Sequence, residues 1–515
     1  MISHAKSQRR KDVRPGYSKT DPHQILDLIL SRRCSATEFS STLCALAPLR
    51  EKKHRSRLPF LVLFLSLLPS FSFAKVNELY TQHCAVCHGA KGEGGMGGSV
   101  INGEYQHGPD DAAWAKVIRD GLPDLGMQGY SDILSEEEIR SMVVYLRELE
   151  ARSNRAPSSQ LEDGRITTDR LTYHLEIVVE NPNRMWGVTF LPSGHKLATE
   201  IDGAVRGITP DGHLLDPVQG TPKVIRKGQG GMLDIAAHPN VDKNGWIYLA
   251  YSDGKNEQAM TSIVRGRIQN NSWMDEETIY RADPKFRNRS GVHFGVRMVF
   301  KDGDIYFSIG DRGRQNQAQD LNRPNGKIHR VREDGRVPED NPFRKEGLDT
   351  IWSTGHRNPQ ALAFRPGTNE LWSTEHGPRG GDELNLIQRG KNYGWPRVTF
   401  GINYNGTPIT EHTTLPGLEP PVLHWTPSIA VCGMAFVDGD VYPEWAGDLL
   451  VGGLRAQTIE RLRIRDGKVV EQETILKNKG RVRDIKTSPS GHIYVILEGN
   501  GSRLVRLEPV DTSHN

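Results

Sequence analysis

The stretch STGHRNPQALAFRPGTNELWSTEHGPRGGDELNLI, Ser353 to Ile387, decides how this chain folds. It opens on a cation beside an amide, Arg357 and Asn358, and closes on a Gly-Pro turn, Gly377 and Pro378, followed by the acidic pair Asp382 and Glu383. Between them Ala361 to Thr374 alternates apolar and polar residues as a half-buried strand does. Both ends of that strand are loop positions, where functional groups concentrate on a rigid scaffold. Taken alone, a surface Arg-Asn pair and an acidic turn are ordinary features. Their surroundings give them weight.

Outward from this stretch the same unit recurs. Val188-TFLPSGHKLATE, Ile235-AAHPNVDKNGWIYLAY, Met298-VFKDGDIYFSIGD, Leu362-AFRPGTNELWSTE, Met434-AFVDGDVYPEWAGDLLVG and Ile485-KTSPSGHIYVILEG each read as a strand start, a Pro/Gly/Asp turn and a second strand. Recurrence at roughly fifty-residue intervals, with longer insertions in the later units, is the signature of propeller blades. Six such units predict an all-β six-bladed propeller over residues 171–511. A β-sandwich is the alternative, and it leaves one hairpin type repeated along the whole region unexplained. A propeller binds ligands at one end of its channel, where loops of several blades meet.

The chain has 515 residues, too many for one core, and a net charge of only +3. No basic face points to nucleic acid. The five cysteines are too few and too scattered for a disulfide framework. Cys34 and Cys44 lie in a polar, basic extension (1–57), read as disordered or as the product of a start codon placed too far upstream, and isolated Cys432 reads as a small buried hydrophobe. After His54-Arg55-Ser56-Arg57 comes LPFLVLFLSLLPSFSFA, Leu58 to Ala74. A basic flank, a short apolar run and a small-residue end predict a signal peptide, hence export to the periplasm with Lys75 as the first mature residue. An uncleaved membrane anchor is the alternative, and the run is short for one.

Cys84-Ala85-Val86-Cys87-His88 has the spacing of covalent haem attachment: two thiols for one porphyrin edge and an adjacent His for the iron. A zinc site would need two further ligands, for which His83 and His107 are poor candidates. The sixth ligand is expected to be Met127, with Met96 a residue of the Gly-rich turn. A helix from about Ser135 to Leu149 follows, opened by a Ser135/Glu138 capping box and carrying Ile139, Met142, Val143 and Leu146 on one face. Residues 75–150 resemble small class I cytochrome c domains throughout, which implies a small all-α domain holding haem c. Residues 151–170 read as a linker.

The propeller region resembles the soluble aldose sugar dehydrogenases that use pyrroloquinoline quinone (PQQ), in the glucose/sorbosone dehydrogenase family. The resemblance rests on Gly228-QGGMLDI, His293-FGVR, Gly310-DRG, Gly326-KI, Gly355-HRNPQ, Glu375-HGP, Asp382-ELNLI, Asn392-YGWP and Arg481-VRD. It implies oxidation of an aldose at C1 to the lactone. His293 would be the base, and Arg357 would stabilise the developing oxyanion. Gln229, Arg357, Asn358, Tyr404, Arg455, Arg481 and Arg483 would contact the tricarboxylate PQQ. Carbonyls of Gly377 and Pro378 would hold a Ca²⁺ on the quinone, and Glu383 with the Tyr393 carbonyl a structural Ca²⁺. His238 and His356 are expected to be structural. Electrons would pass to the tethered haem and on to an external acceptor such as a periplasmic cytochrome or oxidase. The rivals are a Ca²⁺-dependent lactonase-like hydrolase, which leaves Arg481, Arg483 and the haem domain without a task, and a non-catalytic binding propeller, which would be expected to have lost His293 or Arg357.

Overall fold

The computed structural model describes residues 75–103, 107–153 and 164–510. The predicted extension and signal segment lie outside the described residues.

Six sheets form the propeller. Five blades run consecutively over residues 185–217, 232–281, 298–354, 359–425 and 431–477. The sixth combines strands of 481–509 with Thr172–Asn181 from the other end of the chain, paired antiparallel to Gly501–Pro509 with Leu175 opposite Leu507. The ring is thus closed by hydrogen bonds between the first and last long strands. Each of the six sequence repeats supplies the first two strands of one blade.

Two expectations change in detail. Ala361 to Thr374 is not one half-buried strand but two, Pro359–Phe364 and Leu371–Glu375, paired antiparallel. The Arg-Pro-Gly run between them reverses the chain, and Leu371–Glu375 is buried throughout because blades pack on both faces. The helix predicted to end near Leu149 runs from Glu136 to Ser153, into the predicted linker. An Arg152–Glu148 ion pair and a hydrogen bond from Ser153 Oγ to the Ile101 carbonyl hold its last turn. The sheet begins already at Ile166, opposite Tyr173.

Apolar clusters fill the interfaces between neighbouring blades. Tyr248, Phe294 and Phe307 lie between the second and third, and Tyr173, Trp445 and Val482 between the fifth and sixth. Each such side chain contributes about 1.5–3 kcal/mol by leaving water. On the axis, buried Arg297 donates to Asp234 (3.0 Å) and lies 3.0 Å from Asp484, tying inner strands of three blades together. The carboxylates in turn accept the backbone N–H of Met298 and Val188, so this buried charge is compensated.

Ahead of the propeller, among the described residues, stand four α-helices, α1 (Val76–His83), α2 (Ala85–His88), α3 (Asp111–Asp120) and α4 (Glu136–Ser153). The capping box is made: Ser135 N–H donates to Glu138 at 3.0 Å and Glu138 N–H to Ser135 Oγ at 3.3 Å. Ile139, Met142, Val143 and Leu146 are buried together with Val76, Leu79 and Tyr80. No helix among the described residues is long and apolar enough to cross a membrane.

Candidate functional site

In each blade the first strand starts at the same face of the ring at which the second strand ends. Residues just before a first strand and residues in the loop after a second strand therefore share one face. The candidates obey this rule. Gln229, His293, Arg357 and Asn358 precede first strands, Arg481 and Arg483 open one, and Gly377, Pro378 and Arg455 lie in loops after second strands.

His293 stands at φ 54° with its side chain 14% exposed. Its Nδ1 meets Asp311 Oδ1 at 2.6 Å, and its backbone N–H donates to Gln229 Oε1 at 2.7 Å. Asp311 is fully buried, accepting also from Gly313 N–H (2.7 Å) and from Trp395 Nε1 (2.8 Å). That geometry fixes one tautomer, Nδ1–H toward the carboxylate, and leaves Nε2 as the basic nitrogen. Burial lowers the His293 pKa; Arg357 and Arg312 push the same way, against Asp311, and the net is below the ordinary 6.5. Burial alone would raise the Asp311 carboxyl, but the hydrogen bond from His293 overrides it and the net is lowered.

Arg357 is held by its own backbone: its N–H donates to Glu375 at 2.6 Å and Nη1 donates to the His376 carbonyl at 3.1 Å. Its buried Nε has no protein partner among the described residues. Asn358 Oδ1 accepts the Gly295 N–H at 3.2 Å, so part of its capacity is spent inside the protein. Glu498, buried, takes Nε of Arg483 at 2.6 Å and of Arg481 at 3.3 Å, aligning two guanidinium groups on one carboxylate. His376 joins them. Its pKa is pushed down to about 3 by burial, then by the charges of Arg357, His293 and Arg483. Its Nε2 also lacks a protein partner among the described residues. An orphaned buried Arg357 Nε–H near the paired guanidinium groups of Arg481 and Arg483 is what a polyanionic planar ligand would satisfy. The set fits PQQ.

The 377–381 turn is pinned from below by Asp382, which accepts Gly377 N–H (2.9 Å) and Ser428 Oγ (2.9 Å to each oxygen). A Cβ on Gly377 would fall 2.2 Å from the Gly381 carbonyl oxygen, so only glycine permits this closure. Behind it Glu383 and Glu375 are neighbours bridged by Asn385 Nδ2, at 3.1 Å from each. Burial and then the charge of Glu375 raise the Glu383 pKa well above its usual range. Two neighbouring carboxyl groups and an unpartnered buried Asn385 Oδ1 would suit a cation there. Among the described residues no three His, Cys, Asp or Glu side chains cluster as a metal site.

Two expected contacts stand apart. Tyr404 is 74% exposed in its loop. Arg455 is half exposed and turned toward the Ser428 carbonyl (3.5 Å) and Glu148 of α4 (3.9 Å). His238 and His356 are structural as expected, paired with Glu333 and Glu375. The residues sequence reading missed are Asp311, His376, Glu375, Trp395 and Glu498. All lie within stretches already quoted, but Glu498 stands only in the sixth hairpin repeat, whose pattern marks a strand and not a site.

In the helical domain Cys84, half-buried, and Cys87, exposed, form no disulfide. His88 Nδ1 lies 2.8 Å from the Gly98 carbonyl, which fixes the tautomer that presents Nε2 to an iron. Met127 is half-buried in a short turn closed on Leu122, whereas Met96 is 82% exposed. The residues fit a covalently held haem.

The model of the Glucose / Sorbosone dehydrogenase family matches residues 179–506, and that of Cytochrome C oxidase, cbb3-type, subunit III matches residues 72–146. The aldose sugar dehydrogenase YliI of Escherichia coli is 38% identical over 348 residues, covering 66% of this chain and 93% of that protein. The apo-form crystal structure of the soluble aldose sugar dehydrogenase from E. coli is 37% identical with a TM-score of 0.63, covering 66% of this chain and all of that one. The PQQ-bound aldose sugar dehydrogenase of Streptomyces coelicolor is 25% identical with a TM-score of 0.55, covering 66% of this chain and 98% of that one. With its six blades, its shared site face and a helical cytochrome domain ahead of them, the chain belongs to the glucose/sorbosone dehydrogenase family.

Proposed function

We propose that this chain oxidises aldose sugars at C1 to the lactone with PQQ and passes the electrons through its own haem to an external one-electron acceptor. The observation that carries the reading is the buried His293–Asp311 pair on the ring face at which Arg357, Arg481 and Arg483 also stand.

His293 Nε2 takes the C1 hydroxyl proton as the C1–H bond breaks and the carbonyl forms. Asp311 keeps the ring oriented and balances the imidazolium that results. Arg357, Arg481 and Arg483 hold the cofactor carboxylates, and Arg357 also faces the charge developing on the sugar oxygen. Bound PQQ with its Ca²⁺ supplies the acceptor for the hydride, and haem c supplies a one-electron outlet for the pair. Two successive one-electron steps to the acceptor, with two protons released to solvent, close the balance. Carbonyls of Gly377 and Pro378 are assigned to the quinone's Ca²⁺, and Glu383 with the Tyr393 carbonyl to a structural one. Cys84 and Cys87 carry the haem, with His88 and Met127 as iron ligands. The Leu58–Ala74 segment makes this a periplasmic enzyme.

The test is dye-linked oxidation of a panel of aldoses by protein reconstituted with PQQ and Ca²⁺. Oxidation that needs both additions supports the reading. PQQ binding without turnover on any aldose overturns it in favour of a binding propeller, and hydrolysis of lactones without PQQ favours a hydrolase.

A further inference from the structure

The cytochrome domain packs on the same face of the propeller that carries the site. Helix α4 is the contact. Arg379, next after Pro378, donates Nη2 to Glu148 Oε2 at 2.8 Å and Nε to both carboxylate oxygens at 3.1 Å. The two side chains are 16% and 3% exposed. Arg379 Cζ also lies 5.8 Å from the Tyr145 ring centroid. Arg140 of α4 donates to the carbonyls of Thr410 and Glu411, the latter at 2.9 Å. Apolar packing completes the seam: Ile402 of the propeller is buried within the helical domain's cluster, and added Cβ atoms on Gly380 and Gly406 would lie 3.2 Å and 3.1 Å from Val144 and Val76. Arg379 is itself tied by two backbone hydrogen bonds to Ile402, so the Gly-Pro turn and the 402–411 loop move as one.

We propose that Glu148 and Arg379 are a docking lock that holds the haem domain against the quinone face, making them positioning residues for electron transfer between the two cofactors. This rests on the relay in the proposed function. A charge pair this buried is not screened by salt as surface pairs are, so the lock stays shut at physiological ionic strength. Glu148 also meets Arg152 at 3.4 Å and half-exposed Arg455 at 3.9 Å, but Arg379 is its shortest and most buried partner, and a cation at position 148 facing these arginines is what opens the seam. The attachment site is near: Cys84 lies one helix length, about 12 Å, from the Val76–Gly406 contact. Docking replaces diffusional encounter of haem and quinone by a fixed high local concentration.

The experiment compares the wild-type full chain, haem-loaded, with Glu148→Gln, Glu148→Lys, Arg379→Glu and the double swap Glu148→Lys/Arg379→Glu. With PQQ, Ca²⁺ and aldose, haem reduction is followed by stopped flow and dye reduction separately. Glu148→Lys is expected to slow haem reduction at least about tenfold, with Glu148→Gln between it and wild type. Dye reduction by both Glu148 variants stays at the wild-type rate. The double swap returns haem reduction to within about fivefold of wild type, as a direct pair requires. Small-angle scattering of the same chains without PQQ gives the second readout: a larger radius of gyration for Glu148→Lys, restored in the swap. Haem reduction by Glu148→Lys at the wild-type rate, or unchanged scattering, or no rescue in the swap, overturns the lock. If wild-type protein reduces dye but never haem, the relay reading fails by itself, and the scattering arm still decides the lock.

Discussion

Two of the propeller's histidine–carboxylate pairs bond through Nδ1 and differ at the other ring nitrogen. His293 Nδ1 meets Asp311 at 2.6 Å, and His356 Nδ1 meets Glu375 at 3.0 Å. The difference is in the second nitrogen. His356 Nε2 is engaged by Ser353 Oγ at 2.9 Å, its ring stacks on Tyr393 at 4.7 Å, and it is fully buried. His293 Nε2 has no protein partner among the described residues and its side chain retains 14% exposure. A pair whose ring is satisfied on both sides braces the fold. A pair satisfied on one side is equipped to take a proton from something else.

This comparison breaks first at His293. Replacing it by Asn is expected to lower dye-linked kcat/KM by about 10²–10⁴ while thermal stability stays near wild type. The second largest effect is that of Asp311→Asn, roughly 10² in kcat, because the tautomer is no longer enforced. That variant also tests the pH argument. A base must be unprotonated, so the rate falls as pH drops through the His293 pKa. This pKa is lowered, and the acid limb of kcat/KM is expected below pH 6.5. Asp311 raises that pKa, so removing its charge moves the limb to still lower pH, read from the full profile.

The buried pair is expected to respond in the opposite way. His356→Ala costs about 1–3 kcal/mol of stability by orphaning Glu375 and Ser353, seen in denaturant midpoints, and leaves the position of the acid limb unmoved. The smallest effect concerns the neighbouring carboxylates. Glu383 has a raised pKa in the cation-free protein, so its contribution to stability is present below its ordinary value of 4.5 and is lost as pH rises through the raised value. Thermal midpoints in chelator are expected to fall as pH rises from about 4.5 toward the raised value and to level off above it, and Ca²⁺ is expected to abolish the slope.

Much of this was legible in the sequence because propeller blades repeat. Each of the six hairpins carries its own turn residues and buried strand starts, so the count and order of blades follow from local chemistry. The capping box of Ser135 and Glu138 and the apolar face of α4 were legible for the same reason: their signals lie within one helical turn. The site was legible only as motifs. Gly310-Asp-Arg-Gly marks a conspicuous loop, yet nothing within it says that Asp311 meets a histidine eighteen residues earlier in the chain. The closure of the sixth blade by Thr172–Asn181 and the alignment of Arg481 and Arg483 by Glu498 are also long-range facts. Arg379 was invisible as an interdomain residue, since its partner lies 231 positions away on a helix of another domain.

The most direct test of the whole account is anaerobic mixing of aldose with haem-loaded protein carrying PQQ and Ca²⁺, followed at the haem absorption band, for wild type and His293→Asn. The account predicts haem reduction that requires sugar and PQQ together and is slowed by about 10² or more in the variant. Haem reduction at equal rates in both proteins, or dye reduction with the wild-type haem left oxidised, would contradict it.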